Sequence, residues 1–138
     1  MPKEPDKEGQ LASQNALRKV VDHFPQSSLV YALGYGSGVF SQTLNEKHEG
    51  MLDIILVVDD ANDFHEENMD RNPSHYPSWL KISGAGMASR MQRNFPLKDA
   101  RVFFQVVDTP APMKYGVVHK DDLISDLTLW DSLYLAGR

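Results

Sequence analysis

"LVYALGYGSGVF", residues 29–40, decides how this chain is read. Its first half, residues 29–33, is an apolar run of strand length; its second half sets Gly34, Gly36 and Gly38 around Ser37. A strand that empties into a glycine loop is the local form of a phosphate cradle, because backbone N–H groups can approach anionic oxygens where no side chain intervenes. Three familiar cradles fail the test of spacing. A dinucleotide fingerprint and a protein-kinase loop both need a glycine where Val39 stands, and a Walker loop needs Gly-Lys-Ser/Thr where "GVFSQ" has no lysine.

The next apolar run outward, "MLDIILVV" at residues 51–58, is bounded by Gly50 and by Asp59 and Asp60, and reads as a central strand. It carries Asp53 near its start, and a carboxylate inside an apolar strand is costly unless it has a partner or a metal. Gly-Ser at the end of one strand with a carboxylate on the next suits nucleotidyl transfer. The small residues admit triphosphate oxygens, Ser37 adds a donor, and Asp53 holds Mg²⁺ against the charge developing at the α-phosphate. A flexible turn is the plain alternative for "GYGSG", and the acidic strand beside it brings the two readings level.

Upstream, residues 1–9 read as a disordered lead-in. Leu11, Leu17, Val20, Val21 and Phe24 recur at helical spacing until Pro25 stops the ladder. Downstream, Asp59, Asp60 and Asp63 suit a helix start and Pro73 its end, and residues 77–95 read as a helix interrupted by Gly84 and Gly86. Residues 101–107 and 114–119 read as strands joined by a proline-rich turn. A last helix places Leu123, Leu127, Trp130 and Tyr134 on one face, as core or as surface for a further domain. The order helix, strand, strand, helix, helix, strand, strand, helix predicts an α/β fold, a mixed sheet flanked by helices.

The 138 residues suit one domain, here 10–138. A net charge of -5 argues against a general nucleic-acid partner, which needs a basic stripe, and leaves room for a local basic pocket. The absence of cysteine removes disulfides, thiolate metal sites and a Cys nucleophile. No apolar stretch nears the roughly 20 residues of a membrane span. The opening "MPKEPDKEGQ" is acidic and polar, unlike a secretory signal or an Arg-rich transit peptide.

"ALGYGSGVF" and "MLDIILVVDD", then His65, Asn68, Asn72, His75 and Tyr76 in "FHEENMDRNPSHY", then "KYGVV" and "LTLWDSLYLAGR", together resemble the mitochondrial phosphatidate cytidylyltransferases. These are also called mitochondrial CDP-diacylglycerol synthases or translocator assembly and maintenance proteins. The likeness runs from about Val30 to Arg138 with the blocks in family order. It implies a nucleotidyltransferase-like domain, peripheral to the matrix face of the mitochondrial inner membrane, that converts CTP and phosphatidate with Mg²⁺ into CDP-diacylglycerol and pyrophosphate for cardiolipin synthesis. Position by position, Gly36 and Ser37 would cradle the triphosphate and Asp53 would bind metal. Family members continue past Arg138 into a helical domain and a membrane-binding tail, so the resemblance casts this chain as a catalytic portion. The alternatives are a non-catalytic nucleotide- or lipid-binding form, and a nucleotidyltransferase with another acceptor.

The second acidic residue that nucleotidyltransferases usually place two positions after the first is Ile55 here, so a second metal ligand is sought among Asp59, Asp60 and Asp108, with Asp108 at a strand end preferred. Lys114 either meets a phosphate or is an edge-strand lysine. His65 and His75 read as capping or substrate hydrogen-bond partners rather than metal ligands. Asn68 and Asn72, one helical turn apart, either read the base or tie down a loop. Tyr115 reads as packing, and Lys81, Arg90 and Arg93 as a solvated face or a basic patch for phosphatidate.

Overall fold

The computed structural model describes residues 7–35, 52–88, 102–108 and 112–129. Helix α1 spans Lys7–Val21, strand β1 Leu29–Tyr35, strand β2 Leu52–Val58 and helix α2 Ala61–Arg71. A 3-10 turn at Pro73–His75 leads to the short helix α3, Ser78–Ser83; strands β3, Val102–Val107, and β4, Met113–His119, follow, and helix α4 spans Lys120–Leu129. The expected mixed α/β sheet flanked by helices is present; residues 89–95 of the third anticipated helix and 130–137 of the last lie outside the described residues.

The sheet order is β1-β2-β4-β3. β1 and β2 are antiparallel, with Tyr35 opposite Asp53; β2 and β4 are parallel, with Asp53 beside Lys114; β3 and β4 are antiparallel, with Phe104 opposite Gly116. β2 and β4 are therefore central, which explains why residues 54–58 are all buried: both faces of the strand are covered. It also removes the edge-strand reading of Lys114. That lysine lies inside a central strand with neighbours on both sides.

Alternation divides the side chains between two layers. On one face Ile54, Leu56 and Val58 join Phe103, Val107, Met113, Tyr115 and Val117 under Phe24, Phe64, Tyr76 and Leu80, with Leu17 and Val20 of α1 packed alongside. On the other, Ile55, Val57, Val102 and Val118 pack with Leu33, Phe104 and Leu123 of α4.

Gly116 makes this second layer possible. A Cβ there would lie 2.8 Å from Phe104 Cε1, 2.8 Å from Val102 Cγ1 and 3.1 Å from Ile55 Cδ1. Gly116→Ala is expected to cost about 1–3 kcal/mol of stability through overpacking, read as a lower denaturant midpoint at unchanged slope.

α1, the end of β1 and the face of α4 differ from expectation: β1 continues through Gly34 to Tyr35 instead of ending at Leu33. α1 begins at Lys7, inside the supposed lead-in; Lys7 and Glu8 are polar and exposed and so contribute nothing to the apolar period. It ends at Val21 rather than Phe24: the N–H groups of His23 and Phe24 donate to Val20 and Val21 carbonyls in tight turns, and Pro25 disfavours helical backbone at Phe24. Phe24, fully buried, works as a loop plug rather than as a helix face. On α4 only Leu123 of the expected apolar face packs inward. Leu127 is exposed, whereas Asp126 is buried; Trp130 and Tyr134 lie outside the described residues.

Asp60 and Gly84 act as read, whereas Gly86, expected to interrupt the helix together with Gly84, lies inside the helical stretch 85–88. Asp60 caps α2, its side chain accepting from the Asp63 N–H at 3.0 Å. Gly84 ends α3 at φ 86°, a left-handed conformation that favours glycine, and helix resumes at residue 85.

Candidate active site

Strand directions bring the chemistry to one end of the sheet. β1 ends at Tyr35, opposite Asp53 near the start of β2; Lys114 lies near the start of β4, and Asp108 directly follows β3. β1 therefore ends opposite Asp53, with Gly36 the next residue in the chain. Gly36, Ser37 and Gly38 themselves lie outside the described residues, as do Arg90 and Arg93.

Asp53 shares its strand face with Ile55 and Val57, and Lys114 shares its own with Gly116 and Val118, so the two half-buried charged residues stand side by side on the second face. The Lys114 ammonium lies 4.7 Å from the centroid of the Phe104 ring.

Register also sorts the candidate metal ligands. Asp59 and Asp60 follow the far end of β2, about 20 Å from Asp53 at roughly 3.3 Å per residue, and Asp60 is already occupied as a cap. They are excluded as co-ligands. Asp108 is exposed at the same sheet end as Asp53, but β4 and Lys114 separate the two strands, a lateral distance of about 10 Å. Among the described residues no three histidine or acidic side chains converge in a metal-binding group. Mg²⁺ does not need such a cage, since it keeps most of its water and binds through one or two carboxylates plus substrate phosphates. Asp53, an oxygen donor opposite the last residue of β1, fits that limited role.

The His/Asn/Tyr set forms a different assembly. Asn68 Nδ2 donates to the Tyr76 hydroxyl at 2.9 Å and to the Tyr115 hydroxyl at 3.2 Å; His65 Nδ1 is hydrogen-bonded to Tyr76 Oη at 2.8 Å, and His75 Nδ1 to Tyr115 Oη at 3.2 Å. Asn72 donates to Asn68 Oδ1 at 2.8 Å and to the His23 carbonyl at 2.9 Å. The cluster thus clamps α2, the 3-10 turn, β4 and the α1–β1 connection together. All its members except half-buried Asn72 are buried. Burial pushes both phenols well above the ordinary tyrosine range, the Asn68 hydrogen bond only partly opposing this, so both stay neutral.

Tyr115 points to the first face and Lys114 to the second, so the sheet itself stands between this cluster and Asp53. Asn72 makes a loop tie through its bond to the His23 carbonyl. Tyr115 is core, as read, and is also the member of the cluster that sequence reasoning missed; the signal was a tyrosine on a central strand, whose hydroxyl must find a partner when buried. Lys81 is exposed on α3 and lines a surface cavity with Glu66 and Asp70, acidic neighbours that make a poor basic patch.

The sequence model of the family described as "Phosphatidate cytidylyltransferase, mitochondrial" matches residues 17–138. The chain belongs to this family. Curated relatives bearing that name include those of Schizosaccharomyces pombe, 41% identical over 125 residues, Bos taurus, 39% over 127, and Homo sapiens, 38% over 125. The alignments cover 88%, 89% and 88% of this chain, but 30%, 36% and 26% of the respective relatives. The chain thus spans about a third of the length of the phosphatidate cytidylyltransferases it matches.

Proposed function

We propose that this chain carries the nucleotide-binding sheet of a Mg²⁺-dependent CTP:phosphatidate cytidylyltransferase, forming CDP-diacylglycerol and pyrophosphate. The observation that carries the reading is the side-by-side placement of Asp53 and Lys114 at the sheet end where β1 runs into Gly36 and Ser37. The family name adds the substrates, CTP and phosphatidate.

Chemistry asks little of the protein as a base. The nucleophile is a phosphatidate oxygen, already largely ionised near neutral pH with a second pKa of about 6. It forms a new bond to the α-phosphorus of CTP as the bond to the bridging oxygen breaks, and pyrophosphate leaves with that electron pair. Positioning and charge neutralisation then dominate. Lys114 would meet a phosphate oxygen of the triphosphate, and Gly36, Ser37 and Gly38 would offer backbone and hydroxyl donors. Asp53 would hold Mg²⁺, which when bound neutralises charge at the α-phosphate and the leaving group. Asp108 would reach only through ordered water or a second ion.

Attachment to the matrix face of the mitochondrial inner membrane, and supply of cardiolipin synthesis, belong to the same proposal. Among the described residues no helix is long and apolar enough to cross a membrane, which is compatible with a surface approach to lipid-borne phosphatidate.

The test is conversion of labelled CTP by this chain on vesicles containing phosphatidate, with and without Mg²⁺. CDP-diacylglycerol that appears only with both supports the reading. Nucleotide transfer to another acceptor, with none to phosphatidate, would replace the substrate assignment; CTP binding without transfer to any acceptor would make the chain a binding form.

A further inference from the structure

The pairing of Asp53 with Lys114 poses a problem that the second face solves. The residues are register partners on adjacent parallel strands, about 4.8 Å apart across the sheet, and point to the same side. A lysine so placed, on a flexible four-carbon stem, is drawn to the neighbouring carboxylate. Closure of that pair would occupy the carboxylate proposed for the metal and cancel the cation proposed for a phosphate.

The structure directs the lysine the other way. Gly116, two residues on from Lys114, leaves the surface of β4 bare, and the Phe104 ring from β3 fills that space, close enough that a Cβ on Gly116 would collide with Cε1. The ring presents its face to the Lys114 ammonium at 4.7 Å, a cation–π geometry. β3 flanks β4 on the side away from β2, so the attraction pulls the ammonium away from Asp53.

We propose that Phe104, seated over Gly116, is a positioning residue that holds the Lys114 ammonium on the β3 side of β4, keeping it available to an anionic phosphate and keeping the Asp53 carboxylate open. The inference rests on the proposed roles of Lys114 and Asp53 and adds the device that keeps them apart. Phe104 touches no reacting atom. Its action passes through Lys114.

Two readouts test it. In the nuclear magnetic resonance spectrum of the unliganded chain, the Lys114 Hε protons are expected upfield, shifted by the ring current, and to return to ordinary positions in Phe104→Leu but not in Phe104→Tyr. Because this is read on the unaltered chain, an unshifted Lys114 signal overturns the inference whatever the variants do. In calorimetric titration with CTP in the absence of divalent metal, Phe104→Leu is expected to weaken binding about two- to fivefold, the worth of one partly exposed cation–π contact. Phe104→Tyr should bind as the parent does, and Phe104→Leu should add no loss in a Lys114→Ala background. If Lys114→Ala binds CTP normally, the phosphate role of Lys114 fails and this inference falls with it. If Lys114→Ala weakens binding while Phe104→Leu does not, or if the two losses simply add, the inference alone is overturned.

Discussion

Asp53→Ala is expected to lower CDP-diacylglycerol formation by at least about 100-fold, with the thermal melt of the chain little changed. The magnitude follows from the several kcal/mol that a bound ion contributes to stabilising transition-state charge, each 1.4 kcal/mol being a factor of about ten. The stability half follows from position. Asp53 is half-buried near the strand start, at the rim of the layer formed by Ile55 and Val57 rather than within it. Asp53→Asn is expected to lose nearly as much activity, because the amide keeps the shape but not the charge that Mg²⁺ requires. Full activity in either variant, measured on phosphatidate vesicles at saturating Mg²⁺, would remove Asp53 from the mechanism.

Asn68→Leu should show the reverse pattern, with a loss of about 3 kcal/mol in stability and no direct effect on the face that carries Asp53. Asn68 donates to both the Tyr76 and Tyr115 hydroxyls and accepts from Asn72. Leucine leaves two buried hydroxyls short of a partner, at roughly 1–3 kcal/mol each, with some relief from their bonds to His65 and His75. Chemical denaturation measures this as a lower midpoint. CTP affinity, measured where the variant is still folded, should match the parent. A stable Asn68→Leu with impaired CTP binding would mean that the cluster serves the nucleotide, and the structural assignment would be wrong.

These opposed expectations could not have been separated from the sequence alone. "FHEENMDRNPSHY" and "MLDIILVV" both carry residues able to do chemistry, and both lie within the residues that match the family. What divides them is the side of the sheet. Tyr115 and Lys114 are adjacent in sequence, yet one closes the buried cluster and the other stands beside Asp53. Likewise Asp59, Asp60 and Asp108 are all candidates on paper, with Asp108 preferred only for its place at a strand end. Strand length removes the first two, and strand order places the third two strands away.

Phe104 was hidden for a similar reason. In "RVFFQVV" it looks like one more apolar strand residue, and nothing local reports that Gly116 of another strand lies beneath its ring.

The sequence by itself determined the element types and their order, a helix start among Asp59, Asp60 and Asp63, a helix break near Gly84 and Gly86, and the family, because apolar period, turn chemistry and ordered motifs are local properties of the chain. Only the tertiary structure decided that β4 is central, that Lys114 neighbours Asp53, and that the His/Asn/Tyr set is an internal clamp. Those outcomes depend on which strands pair and in what register, and pairing joins residues tens of positions apart that share no local signal. Once the register is set, the two-residue alternation of each strand assigns every side chain to one face or the other.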